Sequence, residues 1–268
     1  MKTMTARTAI HAFKKISAIA PILAASIAGV GAIAPDAQAG NFVPQQEGEV
    51  KVLNSDGSDA FSSCLGSGCS YIDLGSIIKS VESLVDDSTH TQSRLFVDKA
   101  GTENTYGGIE FKSKDLGTAQ FNNGEEFGEY WFRPVAMKED GVNPLVENGQ
   151  LEVGTFKFTF SQILGDLTVN WFDTEKAGKT RYTVEDGDGN MTTGVVSAGA
   201  NNNIQSSTFT NVKAITLNLG ERFGSTGDGV NFQGHATVPE PGLMMGLGAM
   251  AIAGGWGVRK RQTDETAA

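Results

Sequence analysis

Three oxygen-bearing side chains at alternate positions come closest to a metal-binding motif in this sequence. Asp186, Asp188 and Asn190 occupy positions i, i+2 and i+4 and are separated by glycines. Calcium prefers such carboxylate and amide oxygens. However, Ser197 stands where a helix-loop-helix calcium site places its bidentate glutamate, and Asp-Gly is itself a preferred hairpin turn. We therefore expect a turn between two strands, with a bound calcium ion as the alternative.

The two cysteines of the chain predict a small covalent loop. Cys64 and Cys69 flank four residues, two of which are glycines. In an exported protein such a pair is expected to form a disulfide. A loop this short constrains the unfolded chain little, so the bond should contribute about 2 kcal/mol at most. A redox or metal-binding pair is the alternative, but two thiols without nearby histidines make a poor zinc site.

Hydrolytic chemistry finds little support in the sequence. The three histidines, His11, His90 and His235, are widely scattered, so no Ser-His-Asp or Cys-His arrangement is predicted. A pair of carboxylates could serve a glycosidase, but no spacing singles out two of them. We therefore predict a protein that is not an enzyme and has no cofactor, and a secreted hydrolase on a β-sandwich stays as an alternative.

Two aromatic clusters suggest a different kind of site. Trp131 lies between Tyr130 and Phe132, and Trp171 precedes Phe172. Adjacent residues of a strand point to opposite faces, so one ring of each cluster could be exposed and stack on a sugar. This pattern makes Trp131 and Trp171 the candidate residues of a carbohydrate-binding surface module, while core packing is the ordinary role of such rings.

The elements that would position these residues are mostly strands. From Arg94 onward the apolar residues recur with a period of two and are bounded by turn residues such as Asp140-Gly141. The pattern predicts a mainly β, antiparallel, jelly-roll-like β-sandwich, and a sheet closed on itself is the alternative. The predicted strands cover 94–98, 109–112, 129–137, 151–160 with a bulge at Gly154, 167–172 as the partner of 151–160, 181–184, 212–219 and 230–237.

The region ahead of the predicted sandwich has a different composition. Residues 40–93 are expected to form a polar arm that contains the disulfide loop, with an irregular first strand as the alternative for its beginning. Within it, the apolar residues of 76–85 recur at helical spacing, and Ser76 could cap the first turn. We predict one short helix there, followed by the β-sandwich body over 94–237.

Charge is distributed unevenly along the chain. The 268 residues carry a net charge of −10, but residues 40–238 contain 14 Lys and Arg against 27 Asp and Glu, a net of −13. An acidic body repels phosphate backbones, so nucleic acid is excluded as a partner. The basic residues outside this range flank two apolar segments, one at each end of the chain.

The N-terminal apolar segment has the form of a secretion signal. Four basic residues precede the apolar stretch 16–34, and Ala37-Gln38-Ala39 supplies the small-x-small pattern that signal peptidase accepts. We predict a signal peptide over 1–39 that forms a helix and is cut after Ala39. A retained N-terminal anchor is the alternative, but Pro21 and two nearby glycines disfavour it.

The C-terminal segment has three successive parts. Pro239-Glu240-Pro241 precedes the uncharged stretch 242–258, and Arg259-Lys260-Arg261 follows directly. Seventeen helical residues span about 25 Å, slightly short of a bilayer core of about 30 Å. The basic cluster should hold its end in the cytoplasm, with 262–268 as a cytoplasmic tail. The body would then lie outside the cytoplasm, as the signal peptide also requires.

This arrangement resembles the PEP-CTERM sorting signal of Gram-negative bacteria over residues 238–261. The resemblance implies that an exosortase, a membrane-embedded cysteine transpeptidase, recognises the tail in the inner membrane and cuts near Pro239-Glu240-Pro241. It also implies an association with bacteria that make extracellular polysaccharide, a further expected partner. An ordinary single-span anchor is the alternative, in which the prolines are an extended spacer. The segment Leu151-Glu152-Val153-Gly154 is similar to the tetrapeptide of the LEVG family, which implies no catalytic residues.

Overall fold

Short antiparallel strands make up the described part of the chain. The computed structural model describes residues 39–111, 129–146, 148–201, 203–224 and 229–236. No helix occurs among these residues. The strands are β1 (Ala39–Asn41), β2 (Gly48–Val50), β3 (Ile78–Leu84), β4 (Ser93–Lys99), β5 (Asn104–Tyr106), β6 (Ile109–Phe111), β7 (Tyr130–Ala136), β8 (Gly154–Phe172), β9 (Arg181–Asp186), β10 (Met191–Val195), β11 (Ile204–Leu219) and β12 (Gly229–Ala236).

Ten of these strands form one sheet. Its order is β10-β9-β11-β8-β12-β7-β4-β2, with β1 added to β12 and β3 added to β8. All of these pairings are antiparallel, and β5 and β6 form a separate hairpin. The prediction of a mainly β, antiparallel fold is therefore confirmed.

Strand β8 is a central strand of the sheet and pairs with β11, β12 and β3. Its first half alternates buried Phe156, Phe158 and Phe160 with more exposed polar residues, as the sequence predicts. The strand does not end at Phe160, however, but continues to Phe172. The predicted strand 167–172 is thus the second half of β8 and not its partner. The long strand β11 pairs with both halves, and the predicted bulge position, Gly154, is simply the first residue of β8.

The predicted helix over 76–85 is wrong, because this segment contains strand β3. In β3, Ile78 pairs with Phe160 and Ser80 pairs with Thr159, so Lys79 is an extra residue that forms a bulge. The bulge brings Ile78 and Val81 to the same face, opposite Phe160 and Phe158. Apolar residues three apart in sequence therefore share a strand face, and this spacing imitates that of a helix.

The segment expected as a polar arm contributes strands to the main sheet. Strand β1 pairs with β12, β2 with β4, and β3 with β8. Phe42, Val50 and Phe61 are buried in the core. The predicted disulfide is confirmed, with the Cα atoms of Cys64 and Cys69 6.0 Å apart.

The strand pair β4 and β7 is covered on both faces. Six of the seven residues of each strand are buried. One face packs on β8, where Phe132 lies 5.1 Å from Phe158 between ring centroids. The other face carries Phe96, which the β5–β6 hairpin covers with Tyr106 and Phe111. Charged side chains on that second face are consequently removed from water.

Several sequence predictions fall outside the described residues. The apolar parts of the signal peptide and of the C-terminal span 242–258 belong to this group, as do Ala37, Pro239, Glu240, Pro241, Arg259, Lys260 and Arg261. Among the residues that the structure describes, no helix has the length and hydropathy needed to cross a bilayer.

Candidate functional site

One end of the sheet, here called the loop pole, collects segments 60–66, 85–92, 137–142 and 220–222. Side chains tie these segments together. The Thr91 hydroxyl donates to the Met137 carbonyl at 2.8 Å, and the Arg222 main-chain N–H donates to the Ser88 hydroxyl at 3.1 Å. These long-range bonds join segments 85–92, 137–142 and 220–222, and segment 60–66 lines one depression together with 90–92 and 138–142.

A buried aspartate fixes the central segment of the loop pole. Asp86 is only 1% exposed. Its carboxylate accepts hydrogen bonds from the N–H and hydroxyl of Ser88 at 2.9 and 2.7 Å and from the N–H of Thr89 at 3.2 Å. It also accepts from Thr155 at 2.8 Å and Asn218 at 3.0 Å. Five neutral donors thus bind one carboxylate and hold segment 85–92 in place.

Three depressions surround segment 85–92. The largest, the disulfide groove, has a volume of about 710 Å³ and is lined by the disulfide loop, His90, Arg94 and residues 138–142. A second, of about 480 Å³, is lined by Asp86, Lys179 and Arg181 among others. The third, of about 450 Å³, lies between Thr89, Lys138, Asp140 and Arg222. Mixed charges line all three, which suits binding of a polar ligand with hydroxyl and charged groups.

A buried ion pair anchors the wall of the disulfide groove. Arg94 donates to Glu49 at 2.5 Å and to the Ser63 carbonyl at 2.9 Å, and both side chains are almost wholly buried. The guanidinium lies 4.1 Å from the ring centroid of Phe61. The other Glu49 oxygen accepts the N–H of Leu65 at 2.5 Å. Because Ser63 and Leu65 flank Cys64, the pair and the disulfide fix the same loop.

A second buried charge cluster joins β4, β7 and the residues just before β8. Arg133 donates to Asp98 at 2.8 Å and to Glu152, and its guanidinium lies 4.4 Å from the ring centroid of Phe111. The two arginines, Arg94 and Arg133, therefore face three buried carboxylates. Burial raises the pKa of Glu49 and of Asp98 above their usual values, against the opposing effects of the Leu65 N–H and Arg94 on Glu49 and of Arg133 on Asp98.

These raised pKa values predict how stability depends on pH. A carboxyl that binds its proton more tightly when folded adds stability that is complete below the unfolded pKa, near 4.5 for Glu49 and 3.8 for Asp98. That contribution is lost as the pH rises through the raised folded pKa. We expect the melting temperature of the Glu49→Gln variant, measured relative to that of the wild type, to be higher at pH 7 than at pH 4. An identical difference at both values would contradict the prediction, and Glu175→Gln, at an exposed residue, is the control.

Comparison with known proteins assigns no family to this geometry. No protein-family model matches the chain, and no curated protein matches it. The functional proposal therefore depends on the loop pole, the sheet topology and the two ends of the sequence.

His235 forms a pair with Asp166 at the surface of the sheet. The Nδ1 atom of His235 lies 2.9 and 2.7 Å from the two carboxylate oxygens of Asp166, and the His235 main-chain N–H donates to the same carboxylate at 2.7 Å. Among the described residues, no hydroxyl or thiol is hydrogen-bonded to the His235 ring. This pair also lies outside the linings of the three depressions described above.

The structure corrects the sugar-stacking prediction. Trp131 is 0% exposed and Trp171 is 1% exposed. Trp131 packs edge-on against Phe172 with ring centroids 6.2 Å apart, and Trp171 stacks on Tyr182 at 5.9 Å. Both faces of the sheet are covered at these positions, so alternation along the strand exposes neither indole.

The loop from Asp186 to Asn190 forms the predicted turn between β9 and β10. The Asp186 carboxylate accepts the N–H of Asp188 at 2.9 Å, the N–H of Asn190 at 2.8 Å and the Asn190 amide at 2.9 Å. These bonds, with the Asn190 side chain foremost, lower the pKa of Asp186. Within the described ranges, no three His, Cys, Asp or Glu side chains are grouped so that they could hold a metal ion.

Calcium binding at this turn stays a prediction with a direct measurement. If Asp186, Asp188 and Asn190 bind calcium, the melting temperature should fall on addition of EDTA and recover with excess calcium. The Asp188→Asn variant should abolish that response, while Asp140→Asn, in another exposed turn, should preserve it. An unchanged melting temperature of the wild-type chain in EDTA would exclude a stabilising calcium ion.

Two residues are absent from the sequence predictions: Asp86 in the loop pole, and Phe223, which directly follows its segment 220–222. Phe223 is 71% exposed and has a φ of 60°, a conformation that bulky side chains rarely adopt. Its N–H donates to the Gly149 carbonyl at 3.0 Å, and the Arg222 guanidinium lies 4.8 Å from its ring centroid. Asp86 could have been found from the sequence, because Asp-x-Ser-Thr is typical of a side-chain-capped turn, but no local pattern marks Phe223.

Proposed function

We propose that this chain is an exported, non-enzymatic protein of the cell envelope or extracellular matrix. In this proposal the signal peptide is removed after Ala39, and the C-terminal segment 238–261 anchors the precursor in the inner membrane. An exosortase then cuts near Pro239-Glu240-Pro241, which leaves the acidic body in the envelope or outside the cell. The disulfide between Cys64 and Cys69 supports an oxidising location of the body.

The observation that carries this proposal is the pairing of the first and last strands. Ala39, at the start of β1, is the register partner of His235 near the end of β12, and Gly40 is the partner of Gly234. The two predicted membrane segments therefore adjoin the body at neighbouring points. Neighbouring attachment points suit a precursor that is held in the membrane through both ends.

The direction of β12 supports a defined orientation of the body. Strand β7 runs toward the loop pole, where Ala136 pairs with Ser93. Strand β12 is antiparallel to β7 and pairs with it through Val230 and Phe132, so β12 runs away from the loop pole. In the anchored precursor, the three depressions would accordingly face away from the membrane and toward the matrix.

We also infer that the described sheet folds on itself as a jelly-roll-like β-sandwich. Support comes from contacts between residues that are not register partners, since Phe232 of β12 pairs with Val169 in the second half of β8 but packs on Phe158 in the first half. Phe132 of β7 reaches Phe158 of β8, which in turn lies 4.8 Å from Phe232 of β12 between ring centroids. In addition, the Ser93 hydroxyl of β4 donates to the Val153 carbonyl at 2.8 Å. These contacts suit two layers that enclose an aromatic core.

Carbohydrate binding is a second candidate function, and Phe223 is the observation that favours it. This exposed ring adjoins Arg222, which lines the 450 Å³ depression with Lys138 and Asp140. An aromatic face beside charged and hydroxyl-binding groups suits a polysaccharide. Binding to a glycan array that is lost in Phe223→Ala and retained in Val195→Ala would support this function. Equal binding by both variants would contradict it.

The sorting proposal is tested by mass spectrometry of both ends of the mature protein. We expect an N-terminus at Gly40 and no residue beyond Gly242 in released material. Replacement of Arg259, Lys260 and Arg261 by glutamine should leave the tail attached, whereas the same change at Arg181, an exposed basic residue of the body, should not. Released protein that retains residues beyond Gly242 would contradict the proposal, as would a reporter inserted near Asn148 that is active only inside the cell.

A further inference from the structure

Strand β10 forms an open edge of the main sheet. In the described part of the chain it pairs with β9 only, across residues Met191 to Val195. Open edges of natural sheets usually carry a charge, a proline or a bulge that prevents pairing with another chain. Strand β10, with the sequence Met-Thr-Thr-Gly-Val, has no charged residue and no proline, and its register with β9 is regular. Its Met191 and Val195 side chains are 59% and 55% exposed.

The backbone of β10 offers a regular set of hydrogen-bonding groups at this edge. The Asn190 carbonyl accepts the N–H of Asp186 at 3.0 Å, and the N–H of Val196 donates to the Thr180 carbonyl at 2.9 Å. The main-chain N–H and C=O groups of the even-numbered residues of β10 therefore bond to β9. In an antiparallel ladder the direction alternates along the strand, so the N–H and C=O groups of Met191, Thr193 and Val195 point to the open side.

We propose that β10 pairs antiparallel with β10 of a second copy of this chain, around a two-fold axis at Thr193. The three outward-facing residues would then exchange six main-chain hydrogen bonds with the same residues of the second copy. Met191 of one copy would lie opposite Val195 of the other, and Thr193 would lie opposite Thr193. Apolar and Thr–Thr cross-strand pairs both favour such pairing.

Charge at the two ends of the β9–β10 hairpin favours a second copy as the occupant. The turn end carries Asp186 and Asp188, and the opposite end carries Arg181, which is the register partner of Val195. Antiparallel pairing places the acidic turn of each copy beside the basic end of the other. Strand β10 between the two charged ends carries no charge. Two copies can therefore meet there without the repulsion that other acidic surfaces of the body would cause. A strand with the same charge at both ends would gain nothing from this two-fold arrangement.

Gly194 leaves room for the Tyr182 ring beside β10. A Cβ atom at this position would lie 2.2 Å from the Tyr182 ring, so glycine allows the ring to pack across β10 toward the core. Tyr182 in turn contacts Trp171 and Phe209. The side chains of Met191, Thr193 and Val195 lie on the opposite face of β10 from this ring and are exposed.

A cysteine at the two-fold axis tests the proposal in the full-length chain. Opposed residues of a hydrogen-bonded antiparallel pair have Cα atoms about 5.5 Å apart, a distance that a disulfide spans. We expect exported Thr193→Cys protein to run as a dimer on a non-reducing gel and as a monomer after reduction. Thr183→Cys is the matched control, because Thr183 is the β9 register partner of Thr193. Its own copies would lie about 14 Å apart across three strand spacings and should stay monomeric.

A proline at the same position gives a second measurement without engineered cysteines. The Thr193 N–H points outward and is not needed by β9, so Thr193→Pro should leave the fold intact and block pairing. We expect sedimentation in detergent to give the mass of two chains for the wild-type and Thr193→Val proteins and of one chain for Thr193→Pro. A wild-type monomer, a Thr193→Pro dimer, or a Thr193→Cys adduct with a different protein would overturn the proposal. The pairing goes beyond the sorting proposal, and tail processing can succeed or fail independently of it.

Discussion

Replacement of Arg133 by methionine is expected to lower the free energy of unfolding by about 3–5 kcal/mol. Arg133 is 2% exposed and bonds to both Asp98 and Glu152, which are themselves buried. Without the guanidinium, two carboxylates would remain in a site that water does not reach. Urea denaturation monitored by circular dichroism measures the change as a shift of the midpoint.

The control for Arg133 is Lys213, whose ammonium lies 2.6 Å from Glu185 and is about half exposed. Lys213→Met should change stability by about 1 kcal/mol or less, since solvent screens exposed pairs. The triple variant Arg133→Met, Asp98→Asn and Glu152→Gln should recover part of the loss, because it leaves no buried charge. Equal, small effects of Arg133→Met and Lys213→Met would show that the buried cluster contributes little to stability.

Replacement of Trp171 by alanine is expected to cost about 3–5 kcal/mol of stability. The indole is buried, its Nε1–H donates to the Ser207 hydroxyl at 3.1 Å, and its ring stacks on Tyr182. Removal leaves a cavity between β8, β9 and β11 and deprives Ser207 of a partner. Thermal unfolding followed by near-ultraviolet circular dichroism should show a lower transition temperature.

Phe223 is the matched aromatic control, because its side chain is exposed whereas that of Trp171 is buried. Phe223→Ala should change stability by about 0.5 kcal/mol or less. The two variants separate a structural from a binding role for aromatic residues in this protein. A Trp171→Ala chain that unfolds at the wild-type temperature and yet loses glycan binding would restore the sugar-stacking interpretation that the structure corrects.

The fold class and most strand positions follow from residue periodicity. The alternation around Phe156, Phe158 and Phe160 identifies β8 because one face of that half-strand is buried. The same rule fails for β3, where the bulge at Lys79 changes the phase and imitates a helix. Periodicity also fails to show that the predicted strands 151–160 and 167–172 are parts of one strand. Strand β8 changes its partner from β3 to β12 along its length without a turn between the two halves.

The candidate site was much harder to predict than the fold. The loop pole joins segments from four parts of the chain, and no local pattern shows that segments 60–66 and 137–142 meet. The burial of Trp131 depends on the covering of both faces of β4 and β7, which alternation cannot reveal. In contrast, the disulfide between Cys64 and Cys69 was predictable because only six sequence positions are involved.

The attachment of the tail to β12 also determines how the body would respond to tension. Strand β12 has eight residues and runs between β8 and β7, with β1 beside its last residues. When the loop pole is held by a partner and the tail is pulled, the force acts along β12. This direction is perpendicular to the hydrogen bonds of the strand. The ladder would then be loaded in shear, so its bonds must rupture together and not one after another. An anchored protein of a hydrated matrix would gain mechanical resistance from this geometry.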